Sequence, residues 1–327
     1  MHDLISIGDA TVDHYVQIHE AEVRCNLNKT ECMLCVEYGD KIPVDKLTNS
    51  VAGNSANNVV GGARLGLKSA IYVNVGSDAS GKQIIEKLKL EGVSTRYAEV
   101  NEGMESNLST VLTFKGERTI FVYHQDWKYK LPDLDLTKWV YFSSLSKSFT
   151  HSNLLNELIL YLERTGARML YSPGTYQIQA GVKKYPKLLT LTELFLVNKV
   201  EAKRILGYKV EDDIAIKKLL KSITELGPRM VAITDGKEGS FGYDGVKYYH
   251  LGVFPANLVE ATGAGDAFAT GCLAGLFYGR NLAEAMRWGA ANGASVVEQI
   301  GPQTGLLTYN KMQENLKQNS KIVAKEI

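Results

Sequence analysis

No stretch of the chain approaches the ~18 consecutive apolar residues that a membrane-spanning helix needs. Met1-His2-Asp3 runs straight into Leu4-Ile5-Ser6-Ile7, with no basic region and no long apolar segment, so no targeting leader is expected and the cytosol is the default location. Neither sign of charge prevails: 37 Lys and Arg against 36 Asp and Glu leave a net charge of +1, which gives no case for nucleic acid or a membrane as partner. There is no internal repeat and no low-complexity tract. Cysteine is scarce, at four residues. Cys25, Cys32 and Cys35 lie close together, and a zinc site there would want a fourth ligand, with His14 or His19 nearest. Against zinc, Glu31 to Tyr38 reads as strand, where positions three apart point to opposite faces, so reduced structural cysteines are the expectation.

What is present is ordinary in bulk, with 45% hydrophobic and 22% charged residues, as in a soluble protein with a substantial core. A length of 327 residues fits two domains or one large α/β domain. The informative stretch is Glu260-Ala261-Thr262-Gly263-Ala264-Gly265-Asp266-Ala267-Phe268, followed by an apolar run to Tyr278. It reads as a glycine loop turning into a helix whose first turn holds Asp266, with Gly271 and Gly275 on one helix face. The free N–H groups of a helix start, together with the positive end of its dipole, suit a phosphate or a developing oxyanion. A carboxylate beside that site can take a proton from an attacking hydroxyl. An anion cradle plus a base is most of what phosphoryl transfer asks of a protein. No Gly-Lys-Ser/Thr follows the glycines, so this is not a Walker loop.

Thr262 to Phe268 resembles the C-terminal signature of the ribokinase-like (PfkB) family of small-molecule kinases. Ala52-Gly53-Asn54-Ser55-Ala56-Asn57-Asn58 through Gly66 is similar to the family's N-terminal signature, and Gly8 to Asp13 to its opening. The resemblance implies ATP and magnesium as cofactors, with Asp266 as the base and the amides of Gly263, Ala264 and Gly265 around the moving phosphoryl group. It implies Asp13, Gly53, Asn54 and Asn57 for the substrate; Asn54 stands where a ribokinase would have lysine, which puts pentose preference in doubt. Asn198-Lys199-Val200-Glu201 matches the family's Asn-x-x-Glu motif, placing Glu201 on magnesium and its waters and Asn198 on the nucleotide phosphates. Thr234, Gly236 and Gly239 resemble the nucleotide loop, and the helix from Arg287 to Gln299, with Trp288 and Asn292, the wall for adenine. Glu260 occupies a place where many members carry an aspartate that helps bind a monovalent cation, so potassium activation stays open.

The rest of the chain alternates apolar strand-like runs (Leu4–Ile7, Ala70–Val75, Val140–Phe142, Met169–Tyr171, Leu194–Val197, Met230–Ile233) with helical stretches such as Asn153 to Arg164. That order predicts one α/β domain over 1–327 with a doubly wound, mainly parallel sheet. Two β-rich pieces, about 14–48 and 98–123, interrupt the rhythm, the second with a hairpin signal around Lys115-Gly116-Glu117-Arg118. In the family such pieces form a small β lid over the substrate, often used for dimer contact, so a homodimer through the lid is implied. The polar tail past Lys311 shows no evident role.

The acceptor expected is an unphosphorylated sugar, because the loops at 9–13 and 53–58 hold no Arg or Lys for a phosphate. A nucleoside is the alternative. Ser172-Pro173-Gly174 and the Val296–Thr304 stretch look closer to archaeal nucleoside-type members, and Phe121, Tyr123 or Trp127 could stack on a base. A sugar-binding or regulatory protein on the same fold is the remote rival. The intact Gly-Ala-Gly-Asp with Asn198 and Glu201 argues against it.

Overall fold

The computed structural model describes residues 1–26, 32–115 and 117–327. Strand His2–Ile7 lies between Thr137–Phe142 and Ser69–Gly76 and runs parallel to both. Beyond Thr137–Phe142 the parallel set continues through Arg168–Tyr171, Leu194–Asn198 and Met230–Thr234; beyond Ser69–Gly76 it ends with Ser94–Asn101. Ser240–Tyr243, Tyr248–Leu251 and Lys325–Glu326 add antiparallel strands at the far edge. The chain builds outward from His2–Ile7 on one flank and then returns to its other flank with Thr137–Phe142. Such a reversal opens a crevice beyond the carboxyl ends of the strands. The Asp9 N–H spans it by donating to the Ser144 carbonyl at 2.9 Å.

Period-two alternation sorts the core. Ile5 and Ile7 face one helical layer and share its core with Leu158, Ile205 and Leu219, while Leu4 faces the other, whose core includes Leu273 and Met286. The sheet is therefore doubly wound, as its strand-helix order predicts. Each fully buried leucine or isoleucine is worth about 1.5–3 kcal/mol over leaving it in water. Helices Ala264–Phe277 and Leu282–Val297 approach closely because small residues line their contact. A Cβ at Gly271 would lie 2.4 Å from the Trp288 carbonyl oxygen, so only glycine fits there. Among the described residues no helix is long and apolar enough to cross a membrane.

A separate sheet stands over the crevice, in the order Lys46–Ala52, Thr11–Gln17, Leu108–Phe114, Glu117–Tyr123. The two β-rich pieces do pair, but their edges differ from the sequence reading. Lid pairing begins at Thr11 rather than near 14, and Ser94–Asn101 belongs to the main sheet, where its backbone completes the edge beside Ser69–Gly76. Gly116 of the expected turn and Glu31 of the expected strand fall outside the described residues.

Glu22–Cys25 and Cys32–Cys35 form a two-stranded ribbon. Its antiparallel register sets Cys25 opposite Cys32, and the two are joined in a disulfide rather than reduced; Cys35 and Cys272 are free. Their spacing alone does not reveal this, because only the pairing of the two strands makes them neighbours. The polar tail also has a place: after helix Tyr309–Gln318, Lys325–Glu326 covers the edge strand Tyr248–Leu251.

Candidate active site

The Ala264–Phe277 helix begins where the glycines predict. Gly263 holds φ at 82°, and a Cβ there would stand 2.3 Å from the Pro302 side chain, so no other residue fits the turn. The turn leaves first-turn N–H groups without intrahelical partners. Asp266 sits in that first turn, half-buried. Its Oδ1 accepts from Asn54 Nδ2 at 2.7 Å and its Oδ2 from Asn57 Nδ2 at 2.8 Å. Both amides come from the first turn of helix Asn54–Arg64, where a spacing of three puts them on one face. Burial raises the Asp266 pKa above the ordinary carboxylate range, while the two amide donors pull it down.

Two cavities meet at this helix start. One, of about 490 Å³, is mainly apolar and is lined by Phe254, Leu258, Phe268 and Val297 together with Thr234, Gly236 and Gly239 of the expected nucleotide loop. The other, of about 260 Å³, is polar and is lined by Asp13, Gly53, Asn54 and Asn57, all named from sequence as substrate residues. Ala264 and Gly265 wall the first cavity; Thr262 and Asp266 wall the second. Anything spanning both passes over the N-terminus of the helix.

Asp13 projects into the polar cavity from the lid strand Thr11–Gln17. Tyr15 donates to its Oδ2 at 3.5 Å, and its buried Oδ1 has no hydrogen-bond partner among the described residues. Burial carries its pKa up to about 6, against the opposing hydrogen bonds of Ser109 and Tyr15. Asp9 shares the cavity and was not singled out in the sequence reading, although it directly follows the strand-ending Gly8. Its carboxylate accepts from Tyr129 Oη at 2.6 Å and Ser146 Oγ at 3.1 Å, with His124 Nδ1 at 3.8 Å. Asn107 and Ser109, from the expected lid piece 98–123, and His124 and Ser144, which carry no sequence signal, complete the polar wall. They come from strands and loops that only the fold brings together.

Asn198 and Glu201 make a capping box on helix Lys199–Leu206. Asn198 Oδ1 accepts from the Glu201 N–H at 2.8 Å, and Glu201 Oε2 accepts from the Asn198 N–H at 2.9 Å. The register Asn198↔Thr234 and the Lys199–Asp235 ion pair at 2.6 Å set this helix start beside the nucleotide loop. Burial raises the Glu201 pKa, and the charge of Asp266 contributes in the same direction. Among the described residues no cluster of three or more His, Cys, Asp or Glu could cage a metal. One carboxylate near a phosphate site suits magnesium, which keeps several waters and takes its other ligands from substrate phosphates.

Three expectations need correction. Asn292 is fully buried: its Nδ2 donates to the Ala267 carbonyl at 2.8 Å and its Oδ1 accepts from the Leu307 N–H at 3.0 Å. It bolts two helices together and does not line the apolar cavity, whose helical wall is Ala290, Gly293, Ala294 and Val297. Trp288 likewise lies in the core, against Tyr278 and Tyr309. The expected stacking residues also point elsewhere: Ile120 and Val122 line the polar cavity, Phe121 and Tyr123 alternate with them along the strand, and Trp127 is core. Glu260 uses Oε1 to accept from the Thr262 N–H at 2.7 Å and Oε2 from the Gly301 N–H at 3.3 Å, tying the glycine loop to the 301–305 turn.

The sequence model described as pfkB family carbohydrate kinase matches residues 13–308. The ATP-dependent 6-phosphofructokinase of Thermoanaerobacterium thermosaccharolyticum is 24% identical over 314 residues, covering 92% of this chain and 89% of that protein. The ribokinase of Mus musculus is 27% identical over 237 residues, or 70% of this chain and 72% of that one. In structure, Arabidopsis thaliana ribokinase complexed with ribose and ATP aligns with a TM-score of 0.79 at 22% identity, over 97% of this chain and 99% of the other. The nucleoside kinase of Methanocaldococcus jannaschii aligns at 0.76 and 21% identity, again over 97% and 99%. A family match running from the lid strand that carries Asp13 to the end of the last core-packed loop leaves one conclusion: this chain belongs to the pfkB family of carbohydrate kinases.

Proposed function

We propose that the chain transfers the γ-phosphoryl group of ATP to a hydroxyl of an unphosphorylated sugar. The observation that carries this reading is the meeting of an apolar and a polar cavity at one helix N-terminus, with the carboxylate of Asp266 at the junction. Adenine lies in the apolar cavity, and the triphosphate runs past Thr234, Gly236 and Gly239 toward the amides of Gly263, Ala264 and Gly265. Asp13, Gly53, Asn54 and Asn57 hold the acceptor. Asp266 takes the hydroxyl proton as the new O–P bond forms and the bond to the β-phosphate oxygen breaks; the products are ADP and the sugar phosphate. A base with a raised pKa suits this step near neutral pH. The helix-start amides face the charge spread over the moving phosphoryl group. Magnesium would be held through its waters by Glu201, beside Asn198, and would supply positive charge against the phosphates.

Among the described residues no Lys or Arg lines the polar cavity, and three carboxylates (Asp9, Asp13, Asp266) do. That wall repels a phosphorylated or carboxylated acceptor and accepts hydrogen bonds from neighbouring hydroxyls. A nucleoside is the second reading, favoured by apolar Ile120 and Val122 at the cavity wall. A panel of free sugars, sugar phosphates and nucleosides, scored for acceptor-dependent ADP release, tests the assignment. Turnover of free sugars above the others supports it; selective turnover of sugar phosphates overturns it, and selective turnover of nucleosides moves it to the second reading. The protein works as a homodimer joined through the lids, where Leu47 and Phe121 are exposed. Sedimentation of Phe121→Glu checks this: the variant is a monomer if the lids pair, and an unchanged profile removes the lid dimer.

A further inference from the structure

Asn57 serves two neighbours at once. Its Nδ2 donates to Asp266 Oδ2 at 2.8 Å, and its Oδ1 accepts from Gln303 Nε2 at 3.1 Å. The direction of this chain is forced by chemistry. An ionised carboxylate only accepts, so Asn57 must present its NH₂ edge to Asp266 and its carbonyl edge to whatever lies behind. A primary amide turned over about its terminal bond keeps its shape, and would then set a carbonyl oxygen against the carboxylate. The carboxylate selects one orientation from the front, and Gln303 selects the same one from behind by donating to the carbonyl edge.

Gln303 is arranged for that single task. It is 3% exposed, and its own Oε1 is buried with no hydrogen-bond partner among the described residues, while its NH₂ is spent on Asn57. Its backbone is clamped as well. The Gln303 carbonyl accepts from Arg64 Nη1 at 2.6 Å, and Arg64 is paired with Glu91 at 2.7 Å. Arg64 closes the same helix that begins with Asn54 and Asn57, so one rigid element fixes both ends of the relay. Gln303 is not among the residues that line either cavity.

We infer that Gln303 is a positioning residue for Asp266, acting through Asn57: it locks the Asn57 amide so that its NH₂ edge faces the carboxylate. This rests on the reading of Asp266 as the base. Gln303→Met keeps the volume and removes the donor. Its kcat should fall roughly 10- to 100-fold, with KM for ATP unchanged within about twofold. In an Asn57→Ala background the same substitution should lower kcat no further, because the relay is already cut. A purely structural role would instead lower the melting temperature and multiply with Asn57→Ala. Should Gln303→Met fail to fold, Gln303→Leu also removes the donor with little change of volume, and kcat falls there too. Wild-type kcat in a folded Gln303→Met or Gln303→Leu, or full multiplication with Asn57→Ala, overturns the inference. Asp266→Asn separates the two layers: if it keeps normal turnover the base assignment fails, whereas its collapse beside an unaffected Gln303→Met removes only the positioning role.

Discussion

Asn54 and Asp266 are 212 positions apart in the chain, yet Asn54 Nδ2 lies 2.7 Å from Asp266 Oδ1. Asn57 makes the matching contact to the other oxygen. Two amide donors fix the plane of the carboxylate and favour its ionised form, while burial, the larger effect, raises its pKa. The outcome is an oriented carboxylate of raised basicity. That combination is what a general base needs, and it follows from two helix starts facing each other.

Asp266→Asn keeps the size and removes the basicity, and it also turns an NH₂ toward the amide donors of Asn54 or Asn57. Turnover should drop roughly 10²-fold or more while ATP binding is largely kept. Steady-state kinetics with a nucleotide-binding titration checks both halves; near-normal turnover would refute the base assignment.

Asp13 has a pKa of about 6 in the fold against 3.8 for an ordinary aspartate. The folded state therefore holds a proton that the unfolded chain has already lost between those values, and stability from this group is lost as pH rises from about 4 through 6. The amount is on the order of 3 kcal/mol. Asp13→Asn has no such loss, so its melting temperature relative to wild type should climb between pH 4 and pH 7. Its acceptor KM should rise at least ~10-fold, since a charged hydrogen-bond partner is gone. A melting gap that is flat with pH would mean that the Asp13 carboxylate is not held at a raised pKa.

Glu201→Gln separates the metal from the cap. Glutamine can complete a capping box as glutamate does, so the melting temperature should stay within about 1–2 °C. The magnesium concentration for half-maximal rate should nevertheless rise several-fold. An unmoved magnesium curve would leave Glu201 with the helix cap alone.

If the small sheet closes on the acceptor, amide protection in Thr11–Gln17 and Leu108–Phe114 should rise when a turned-over acceptor binds. Hydrogen exchange read by mass spectrometry measures this directly. Equal exchange with and without acceptor would show a static cover.

Much of the site is legible because its residues sit in short local strings. Gly53, Asn54 and Asn57 share one helix start, and Gly263 to Asp266 share another, so one glycine turn dictates each group. The strands of the main sheet are equally plain, since residues buried on both faces make continuous apolar runs. What hides from sequence is anything decided by orientation or by distant pairing. Phe121 and Ile120 are both apolar, so periodicity shows alternation in their strand but not which set faces inward. Asn292 has the right neighbours for a ligand wall and turns its amide into the core instead. Asp9, His124 and Gln303 acquire their roles from partners over a hundred residues away.

The small sheet is spliced into the body without slack. Lys46–Ala52 ends one residue before Gly53, and the helix bearing Asn54 and Asn57 starts immediately after; Thr11–Gln17 follows His2–Ile7 with Asp9 in the short join. Cover and candidate base therefore share one short stretch of backbone. Should the sheet rotate onto an acceptor, it would move the very turn whose side-chain amides hold Asp266, and a substitution on the outer sheet, far from any reacting atom, would then slow turnover through that linkage alone.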